Sequence, residues 1–263
     1  MILFTGGGAF YEAFKKTAPC EYVSLRRSAH PVIKEAIENA SVIINNAASI
    51  QCQNVEEAIR DNFMSTFWIV NLCLRLNPKV KFIYLGSMSF YESENRVMPV
   101  EEMTPYAYSK YLGETFCLKS SLPNVCSACF STLFYGNPEK DGLSKLLTNA
   151  ATENAITIYD GGVARRDFIP IEIAALYVAR LVRHKFERKV YTIASGQSTS
   201  FGDVARYLKV KFPSLQVNDL PLENKGKEVL SDFSKKSIQE LGEIPFSLQE
   251  EMEKYLDSHQ VAA

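Results

Sequence analysis

The chain has 263 residues, of which 46% are hydrophobic, and its formal net charge at pH 7 is -1. This composition suits one large globular domain, or one domain with a small appendage, and the near-neutral charge argues against a nucleic-acid partner. The sequence has no run of about 18 apolar residues to span a membrane and no secretory signal, so we expect a cytoplasmic protein without a membrane partner.

In chain order, five short apolar runs predict β-strands of a parallel sheet that is covered on both faces. They span residues 1–5, 21–25, 41–45, 80–87 and 125–134. Between them, amphipathic patterns over 54–76 and 106–120 predict helices. This alternation predicts an α/β fold with a Rossmann-like, doubly wound parallel sheet.

Cys126 and Cys129 form a C-x-x-C motif inside the run 125–134. A redox or zinc site would need a turn or a helix start at this motif, whereas residues three apart in a strand point to opposite faces, about 10 Å apart. We therefore expect both cysteines to belong to the core. The six cysteines do not have the spacing of a disulfide framework, which favours a reduced compartment.

The pattern changes near residue 138. A helix and a short strand are predicted within 138–162, followed by a helix over 170–184, a strand over 189–194 and terminal helices over 200–212 and 247–258. We predict a Rossmann-like dinucleotide-binding domain over 1–137 and a smaller substrate-binding part over 138–263. The two are expected to be interleaved and to share a cleft, with 170–195 returning to the Rossmann-like sheet.

The first strand runs into a glycine-rich turn, "FTGGGAF", and then into a helix. This geometry brings backbone N–H groups and a helix N-terminus to the pyrophosphate of a dinucleotide. A glycine-rich turn alone is a weak indication of such a site, and its position directly after the first strand strengthens it.

Tyr106 and Lys110 lie four residues apart in "TPYAYSKYLGE" and share one face of a predicted helix. A nearby ammonium lowers the pKa of a phenol from about 10 towards neutral, which would make the tyrosine a useful acid–base group. An exposed lysine beside a packed tyrosine would have the same spacing. Ser87 and Ser89 follow the strand 80–87, at the edge where open α/β sheets bind ligands, although serines also suit a strand-ending turn.

Together these segments resemble the extended short-chain dehydrogenase/reductase family of nucleotide-sugar epimerases, dehydratases and reductases. The resemblance covers nearly the whole chain. It rests on "MILFTGGGAF", "VIINNAAS", "RDNFMSTFWIVNLC", "LGSMSFY", "TPYAYSKYLGE" and "TIYDGGVARRDFIPIEIAA". Two of these segments are specific, and their order along the chain is that of the family.

The resemblance implies a role for each matching residue. Tyr106 would be the acid–base, Lys110 would lower its pKa and hold the nicotinamide ribose, and Ser87 would orient the sugar oxygen. Arg166 would meet the substrate diphosphate, with Ser89 on the substrate side. Further cofactor contacts are implied for Gly6, Gly8, Ala9, Phe10, Ala47 and Asn62. The family also implies a homodimer through the helices at 54–76 and 106–120.

Several positions depart from the family's pattern. Ala9 and Glu12 replace the second and third glycines of the Gly-x-x-Gly-x-x-Gly loop. A glutamate at the third position is expected to disturb the close helix–strand packing and to weaken cofactor binding. Met88 and Ser89 replace the Asp-Glu of sugar 4,6-dehydratases, which argues against dehydration, and Leu133 stands where an asparagine usually meets the substrate phosphate.

Arg26 stands near the end of the second predicted strand, where an NAD-binding protein carries an acidic residue. An arginine there suits the 2′-phosphate of NADP, although a solvated basic pair is equally consistent with the sequence. We therefore expect NADP(H), with NAD(H) as the alternative cofactor. The three histidines, His30, His184 and His259, do not cluster, so no metal site is expected.

The sequence therefore predicts an NAD(P)-dependent oxidoreductase that acts on a nucleotide-linked sugar. The leading hypothesis is NADPH-dependent reduction of a 4-keto-deoxysugar with Tyr106 as acid–base. One alternative is a nucleotide-sugar 4-epimerase with tightly bound NAD, which would use the same three catalytic residues. A second alternative is a non-catalytic Rossmann-like nucleotide sensor, which the imperfect glycine loop would suit and the complete Ser87–Tyr106–Lys110 set would not.

Overall fold

The computed structural model of the chain describes residues 1–24, 28–46, 48–50, 52–93, 96–222 and 235–260. Arg26 and Ala47, two of the predicted cofactor contacts, lie outside the described residues. The chain divides into two compact units, and the first division falls after Phe130, earlier than the predicted boundary at residue 137. Unit 1 comprises Met1–Phe130, Ala175–Ile193 and Lys236–Leu241, and unit 2 comprises Ser131–Ala174, Ala194–Lys235 and Gly242–Ala263.

The described elements are numbered in chain order. The strands are β1 (Ile2–Phe4), β2 (Glu21–Tyr22), β3 (Val42–Asn45), β4 (Lys81–Ser87), β5 (Tyr91–Ser93), β6 (Arg96–Val97), β7 (Val125–Phe130), β8 (Thr132–Phe134), β9 (Ala155–Tyr159), β10 (Arg165–Pro170), β11 (Val190–Ile193), β12 (Ser198–Ser200) and β13 (Gln216–Leu220). The α-helices are α1 (Ala9–Lys15), α2 (His30–Asn39), α3 (Val55–Ala58), α4 (Met64–Leu76), α5 (Pro105–Lys119), α6 (Gly142–Thr152), α7 (Ile171–Arg183), α8 (Phe201–Lys211), α9 (Lys235–Leu241) and α10 (Leu248–Gln260). Among the described residues, no helix combines the length and apolar character needed to cross a bilayer.

Unit 1 is built on a six-stranded parallel sheet with the strand order β2-β1-β3-β4-β7-β11. The order reverses between β1 and β3, which is the switch point of a doubly wound sheet, so the predicted fold class is confirmed. Every residue of β7 is buried, and Cys126 and Cys129 have no exposed surface. The prediction that both cysteines belong to the core is also confirmed.

Helix α1 packs on β1 through aromatic residues. The ring centroid of Phe4 lies 5.0 Å from that of Phe14 and 5.5 Å from that of Tyr11. Ala13 is buried in the same contact, whereas Glu12 is exposed. The expectation that Glu12 disturbs the helix–strand packing is therefore wrong, because its side chain lies on the solvent side of the helix.

Two predicted elements are interrupted. The run 125–134 is not a single strand, because β7 ends at Phe130 and β8 pairs with β10 in a separate three-stranded sheet. Ser131 lies at the break, and its hydroxyl donates to the Asp167 carboxylate at 3.2 Å. The predicted helix over 54–76 is divided by a π-helical segment at Ile59–Phe63.

Unit 2 has a hydrophobic core of its own, formed by α6, α8 and α10 packing on β9 and β10. A buried carboxylate fixes strand β10 within it. Asp167 has no exposed surface and accepts hydrogen bonds from the backbone N–H groups of Ser195 and Gly196 at 2.8 and 2.7 Å. A buried charge needs such partners, so the backbone on which the neighbouring Arg166 stands is well determined.

Candidate active site

Helix α5 begins directly before Tyr106. The Thr104 side chain caps the helix by accepting a hydrogen bond from the backbone N–H of Ala107 at 3.2 Å, and Pro105 is the first helical residue. Both residue types favour a helix start, so the local sequence puts Tyr106 in the first turn. Lys110 follows one turn later on the same face.

Lys110 is buried, with 5% of its surface exposed. Its Nζ donates to the backbone carbonyl of Leu85 at 2.5 Å and lies 4.4 Å from the ring centroid of Tyr84. Burial lowers the pKa of Lys110 to about 8, and the nearby Cys129 and Glu114 oppose that shift. The amine therefore stays mostly protonated at neutral pH, although it has little contact with water.

Ser87 is the last residue of β4, two positions after the carbonyl that binds Lys110. Its Oγ forms a hydrogen bond with the Ser89 hydroxyl at 3.0 Å and accepts one from the Ser89 backbone N–H at 3.2 Å. The bond from Lys110 to Leu85 fastens α5 to this end of β4. Ser87 and the first two turns of α5 therefore lie together at the carboxyl end of the strand, and Ser89 lies beside them.

Asn62 lies in the π-helical segment and is 2% exposed. Its Oδ1 accepts from the Ser49 backbone N–H at 2.6 Å, and its Nδ2 donates to the Ser49 carbonyl at 3.0 Å and to the Ser109 hydroxyl at 2.9 Å. Ser109 in turn donates to the backbone carbonyl of Tyr106 at 2.8 Å. The amide predicted to contact a cofactor is thus bonded on both sides within the protein, and it ties the loop after β3 to the first turn of α5.

The glycine loop after β1 lies at the switch point of the sheet. Gly8 has a φ of +111°, which favours glycine, and an added Cβ would meet no atom within 4 Å. Gly7 and Gly8 are exposed, so this backbone is open to a ligand. The Asn46 amide donates to the carbonyls of Gly6 and Gly7 at 3.3 Å each, which fixes the turn. The turn therefore fits a dinucleotide pyrophosphate. Among the described residues, no group of three or more His, Cys, Asp or Glu side chains could hold a metal ion.

Ala9 and Phe10 open helix α1 after this loop. Phe10 is buried, and its ring centroid lies 5.2 Å from that of Phe130. The Phe10 side chain belongs to the core, which leaves its backbone for the predicted cofactor contact.

Unit 2 contains a pocket of about 690 Å³. Helix α6, the end of β9 and the start of β10 border it, and β13 and α8 complete its wall. Its lining combines three cations with aromatic and apolar side chains: Lys145, Arg165, Arg166, Tyr159, Phe201, Val163, Leu220 and Leu222. Such a mixture suits a ligand that carries both a flat ring and negative charge.

The two arginines of the pocket are held differently. The Arg165 Nε donates to Ser198 Oγ at 3.0 Å, and its Nη1 lies 3.6 Å from an Asp203 carboxylate oxygen. The Arg166 Nη1 donates to the backbone carbonyl of Arg165 at 2.8 Å. Arg165 is therefore bound to its own sheet and to α8. Arg166, the residue that the family resemblance implies for the substrate diphosphate, lines the same pocket.

A tight turn at Asp160–Gly162 borders the pocket. Gly162 has a φ of +68°, and an added Cβ would lie 2.4 Å from the backbone nitrogen of Gly202. The backbone N–H of Gly161 donates to the Asp219 carboxylate at 2.9 Å. The "DGG" of the sequence is thus explained by a close backbone approach that only glycine permits.

Comparison with known proteins establishes the family. A family model described as "NAD dependent epimerase/dehydratase family" matches residues 11–194. The chain belongs to this family, which confirms the predicted enzyme class. A protein of Methanocaldococcus jannaschii that is provisionally described as a UDP-glucose 4-epimerase is 23% identical over 216 residues, which cover 75% of this chain and 70% of that protein.

Solved structures share the fold over the whole chain. An NAD-dependent NDP-hexosamine 5,6-dehydratase of tunicamycin biosynthesis has a TM-score of 0.84 at 20% identity, covering 99% of this chain and 97% of its own. The UDP-glucuronic acid 4-epimerase of Bacillus cereus, solved with UDP-glucuronic acid and NAD, has a TM-score of 0.83 at 17% identity, covering 100% of this chain and 99% of its own. The protein RMD of Pseudomonas aeruginosa, solved with NADPH, has a TM-score of 0.80 at 15% identity, covering 100% of this chain and 99% of its own.

Sequence reasoning missed three residues of these sites. Asn46 stands directly after the strand 41–45, and its position at the switch point was the available signal. Glu114 lies four residues after Lys110, and this spacing could have shown it on the same face of the helix. Lys145 lies in an ordinary amphipathic helix, and the sequence around it carries no signal for a pocket.

The hydrogen bonds of Asn62 to the Ser49 backbone and the Ser109 hydroxyl, which clamp the loop after β3 to α5, can be tested by Asn62→Ala. This change leaves the backbone groups of Ser49 without their partner, so we expect the free energy of unfolding to fall by about 2–4 kcal/mol in urea denaturation. Asn39→Ala is the matched control, because the Asn39 side chain makes an exposed bond to the Glu35 carbonyl. Equal losses in the two variants would contradict the clamp.

Proposed function

We propose that the chain is an NAD(P)-dependent oxidoreductase acting on a nucleotide-linked sugar, with NADPH-dependent reduction of a 4-keto-deoxysugar as the leading reaction. The observation that carries the proposal is the arrangement at the end of β4. A buried ammonium, that of Lys110, is fastened there with Tyr106 one turn before it and Ser87 at the strand end. This combination suits proton transfer to a carbonyl oxygen.

In the proposed reduction, the Ser87 hydroxyl donates a hydrogen bond to the ketone oxygen and orients it. Tyr106 gives its phenolic proton to this oxygen, and the Lys110 charge stabilises the phenolate that remains. A bound nicotinamide would supply the hydride that the carbonyl carbon receives. One hydride and one proton together convert the ketone into an alcohol, and solvent returns the proton to Tyr106.

The pocket of unit 2 supports a nucleotide as the carrier of the sugar. Arg166 and Lys145 would pair with the diphosphate, and Arg166 can do so in a bidentate geometry. Tyr159 and Phe201 offer aromatic surfaces to the base. A pocket of about 690 Å³ is within the usual size for a small-molecule site.

A 4-epimerase with tightly bound NAD is the second candidate. It is favoured by the relatives, because the M. jannaschii and B. cereus proteins are both described as 4-epimerases of UDP-linked sugars. Its chemistry would use Tyr106, Lys110 and Ser87 in the same way and return the hydride to the opposite face. The cofactor that the purified protein carries therefore separates the two reactions better than the catalytic residues do.

Tyr106→Phe should lower kcat about 100-fold or more, because the variant has no proton to transfer. Cofactor affinity should stay within about twofold of the parent, since the ring and Lys110 remain. Tyr108→Phe, two residues further along the same helix, is the control and should retain activity. A fully active Tyr106→Phe enzyme would contradict the proposed mechanism.

Arg166→Ala should raise the KM for the nucleotide sugar about tenfold or more and leave kcat nearly unchanged, because a charge-assisted hydrogen bond to the diphosphate is lost. Arg206→Ala is the control in the same unit, because Arg206 is 75% exposed and pairs with Asp203 on the surface. Steady-state kinetics of both variants measure the effect. An unchanged KM in Arg166→Ala removes this residue from the substrate site.

The cofactor preference is tested by parallel fluorescence titrations with NADPH and NADH. We expect tighter binding of NADPH, and Arg26→Ala should weaken NADPH about tenfold while changing NADH little, because only NADPH has a 2′-phosphate. Arg60→Ala is the control for loss of a surface charge. If Arg26→Ala weakens the binding of NADPH and NADH equally, the role of Arg26 is refuted. NAD that co-purifies with the parent protein favours the epimerase. A parent protein that binds neither cofactor favours a nucleotide sensor.

The proposed homodimer uses an aromatic cluster on α4 and α5. The Phe116 ring centroid lies 5.0 Å from that of Phe67 and 6.0 Å from that of Phe63, and Phe67 is 40% exposed. We expect Phe67→Glu to convert a dimer into a monomer in analytical ultracentrifugation. Val210→Glu places the same charge at an exposed site on α8 and should not change the mass. A parent that is already monomeric excludes this interface.

A further inference from the structure

Glu114 extends the catalytic face of α5 inward. It lies four residues after Lys110 and eight after Tyr106, so the three side chains follow one stripe of the helix. Only 3% of Glu114 is exposed. A carboxylate is rarely buried to this degree without partners, and the reaction proposed above does not use it.

The space around Glu114 is shaped to hold a carboxylate. Its Oε2 accepts from the Ser127 hydroxyl at 2.5 Å, and its Oε1 accepts from the Tyr91 hydroxyl. An added Cβ on Gly86 would lie 2.7 Å from Oε2 and 2.5 Å from Ser127 Oγ. The glycine that directly precedes Ser87 therefore makes room for this carboxylate.

Glu114 and Lys110 are an acid and a base that are buried on one face of the same helix. Burial raises the pKa of Glu114, and the Ser127 and Tyr91 hydroxyls and the Lys110 charge oppose that rise. Burial lowers the pKa of Lys110, and Cys129, Glu114 and Cys117 oppose it. The charged form of each group therefore stabilises the charged form of the other where water cannot.

The other titratable groups that face this pair come from four elements. They are Tyr106 and Cys117 on α5, Tyr84 on β4, Cys129 on β7 and Tyr91 on β5. Burial raises the pKa of the Cys117 and Cys129 thiols and of the Tyr84 and Tyr91 phenols, so all four stay neutral at pH 7. Glu114 is therefore the one carboxyl group among the described side chains named here, and its ionised form is the one that the Lys110 charge stabilises.

We propose that Glu114 is a positioning residue for the proposed reaction: its carboxylate keeps the Lys110 amine protonated beside Tyr106, so that Tyr106 can exchange its proton near neutral pH. The inference rests on the proposed function, because Tyr106 and Lys110 act only there. Glu114 itself touches neither substrate nor cofactor. Its effect passes through the charge of Lys110.

Glu114→Gln tests the proposal, because it removes the charge and nearly preserves the shape. The loss of an opposite charge lowers the pKa of Lys110, and a neutral Lys110 no longer stabilises the Tyr106 phenolate. We therefore expect the pKa of the Tyr106 phenol to rise by about one unit, as measured by ultraviolet difference titration at the phenolate band. Subtracting the spectrum of the matching Tyr106→Phe protein isolates this phenol from the rest of the 13 tyrosines.

Activity gives a second readout. In Glu114→Gln, the alkaline limb of the kcat–pH profile, where Lys110 loses its proton, should move to lower pH. We expect kcat at pH 8 to fall about tenfold relative to the parent. Glu101→Gln removes an exposed carboxylate from the same unit and should shift neither the titration nor the profile. A residue with a merely structural role would change the melting temperature without moving the Tyr106 titration.

An unchanged Tyr106 titration in folded Glu114→Gln overturns the inference. If this variant does not fold, Glu114→Asp replaces it: a retracted carboxylate should raise the pKa of the Tyr106 phenol by a smaller amount, and no rise overturns the inference as well. The titration needs no substrate. A shifted phenol in a protein that turns over no nucleotide sugar would therefore refute the proposed function and leave only the electrostatic effect of Glu114 on Tyr106. An active enzyme with an unshifted phenol would refute the role of Glu114 and leave the proposed function.

Discussion

The burial of the Lys110 ammonium is the constraint on which the active-site region depends. A charged amine with 5% exposure needs fixed partners, and it has the Leu85 carbonyl, the face of the Tyr84 ring and the charge of Glu114. These contacts require α5 to lie very close to β4. The close approach explains Gly113, because an added Cβ there would lie 2.4 Å from the Tyr84 hydroxyl. The requirement of one charge thus fixes the spacing of a helix and a strand.

The same helix is tied to the loop after β3 by a continuous chain of hydrogen bonds. It runs from the Ser49 backbone through the Asn62 amide and the Ser109 hydroxyl to the carbonyl of Tyr106. The π-helical segment at Ile59–Phe63 carries Asn62 at the centre of this chain. Such irregular turns of helix are frequent at functional sites, and this one joins the loop after β3 to the first turn of α5.

The sequence predicted the features that depend on residue types close together in the chain. The start of α5 follows from Thr104 and Pro105, and the parallel sheet follows from short apolar runs that alternate with amphipathic helices. The break at Ser131 could not be predicted, because Phe130 before it and Leu133 and Phe134 after it continue the apolar pattern, and a strand that changes sheets has the same composition as one that does not. The exposure of Glu12 depends on which face of α1 meets β1, and an assumed glycine pattern gave the wrong answer.

The candidate site was predicted to a similar extent. Tyr106, Lys110 and Ser87 were predicted because motif and spacing agree, and the structure places them near the carboxyl end of β4, whereas the partners of Asn62 are set by three-dimensional contacts. Glu114 escaped notice because burial of a carboxylate runs against the usual distribution of charged residues. The pocket of unit 2 gathers residues from α6, β9, β10, α8 and β13, and no linear window contains them.

The division of the chain has a consequence for its biosynthesis. The chain passes from one unit to the other after Phe130, Ala174, Ile193, Lys235 and Leu241, so neither unit is a continuous stretch of sequence. The last piece of unit 1 is held by Ser237, which accepts from the Thr192 backbone, and by Glu240, which binds Arg188 and Tyr191. The six-stranded sheet therefore lacks these supports until residues 236–241 have been made, after two pieces of unit 2. A premature stop before residue 236 would leave the edge strand β11 without them, so the pieces of unit 1 cannot all pack in the order in which they are synthesised.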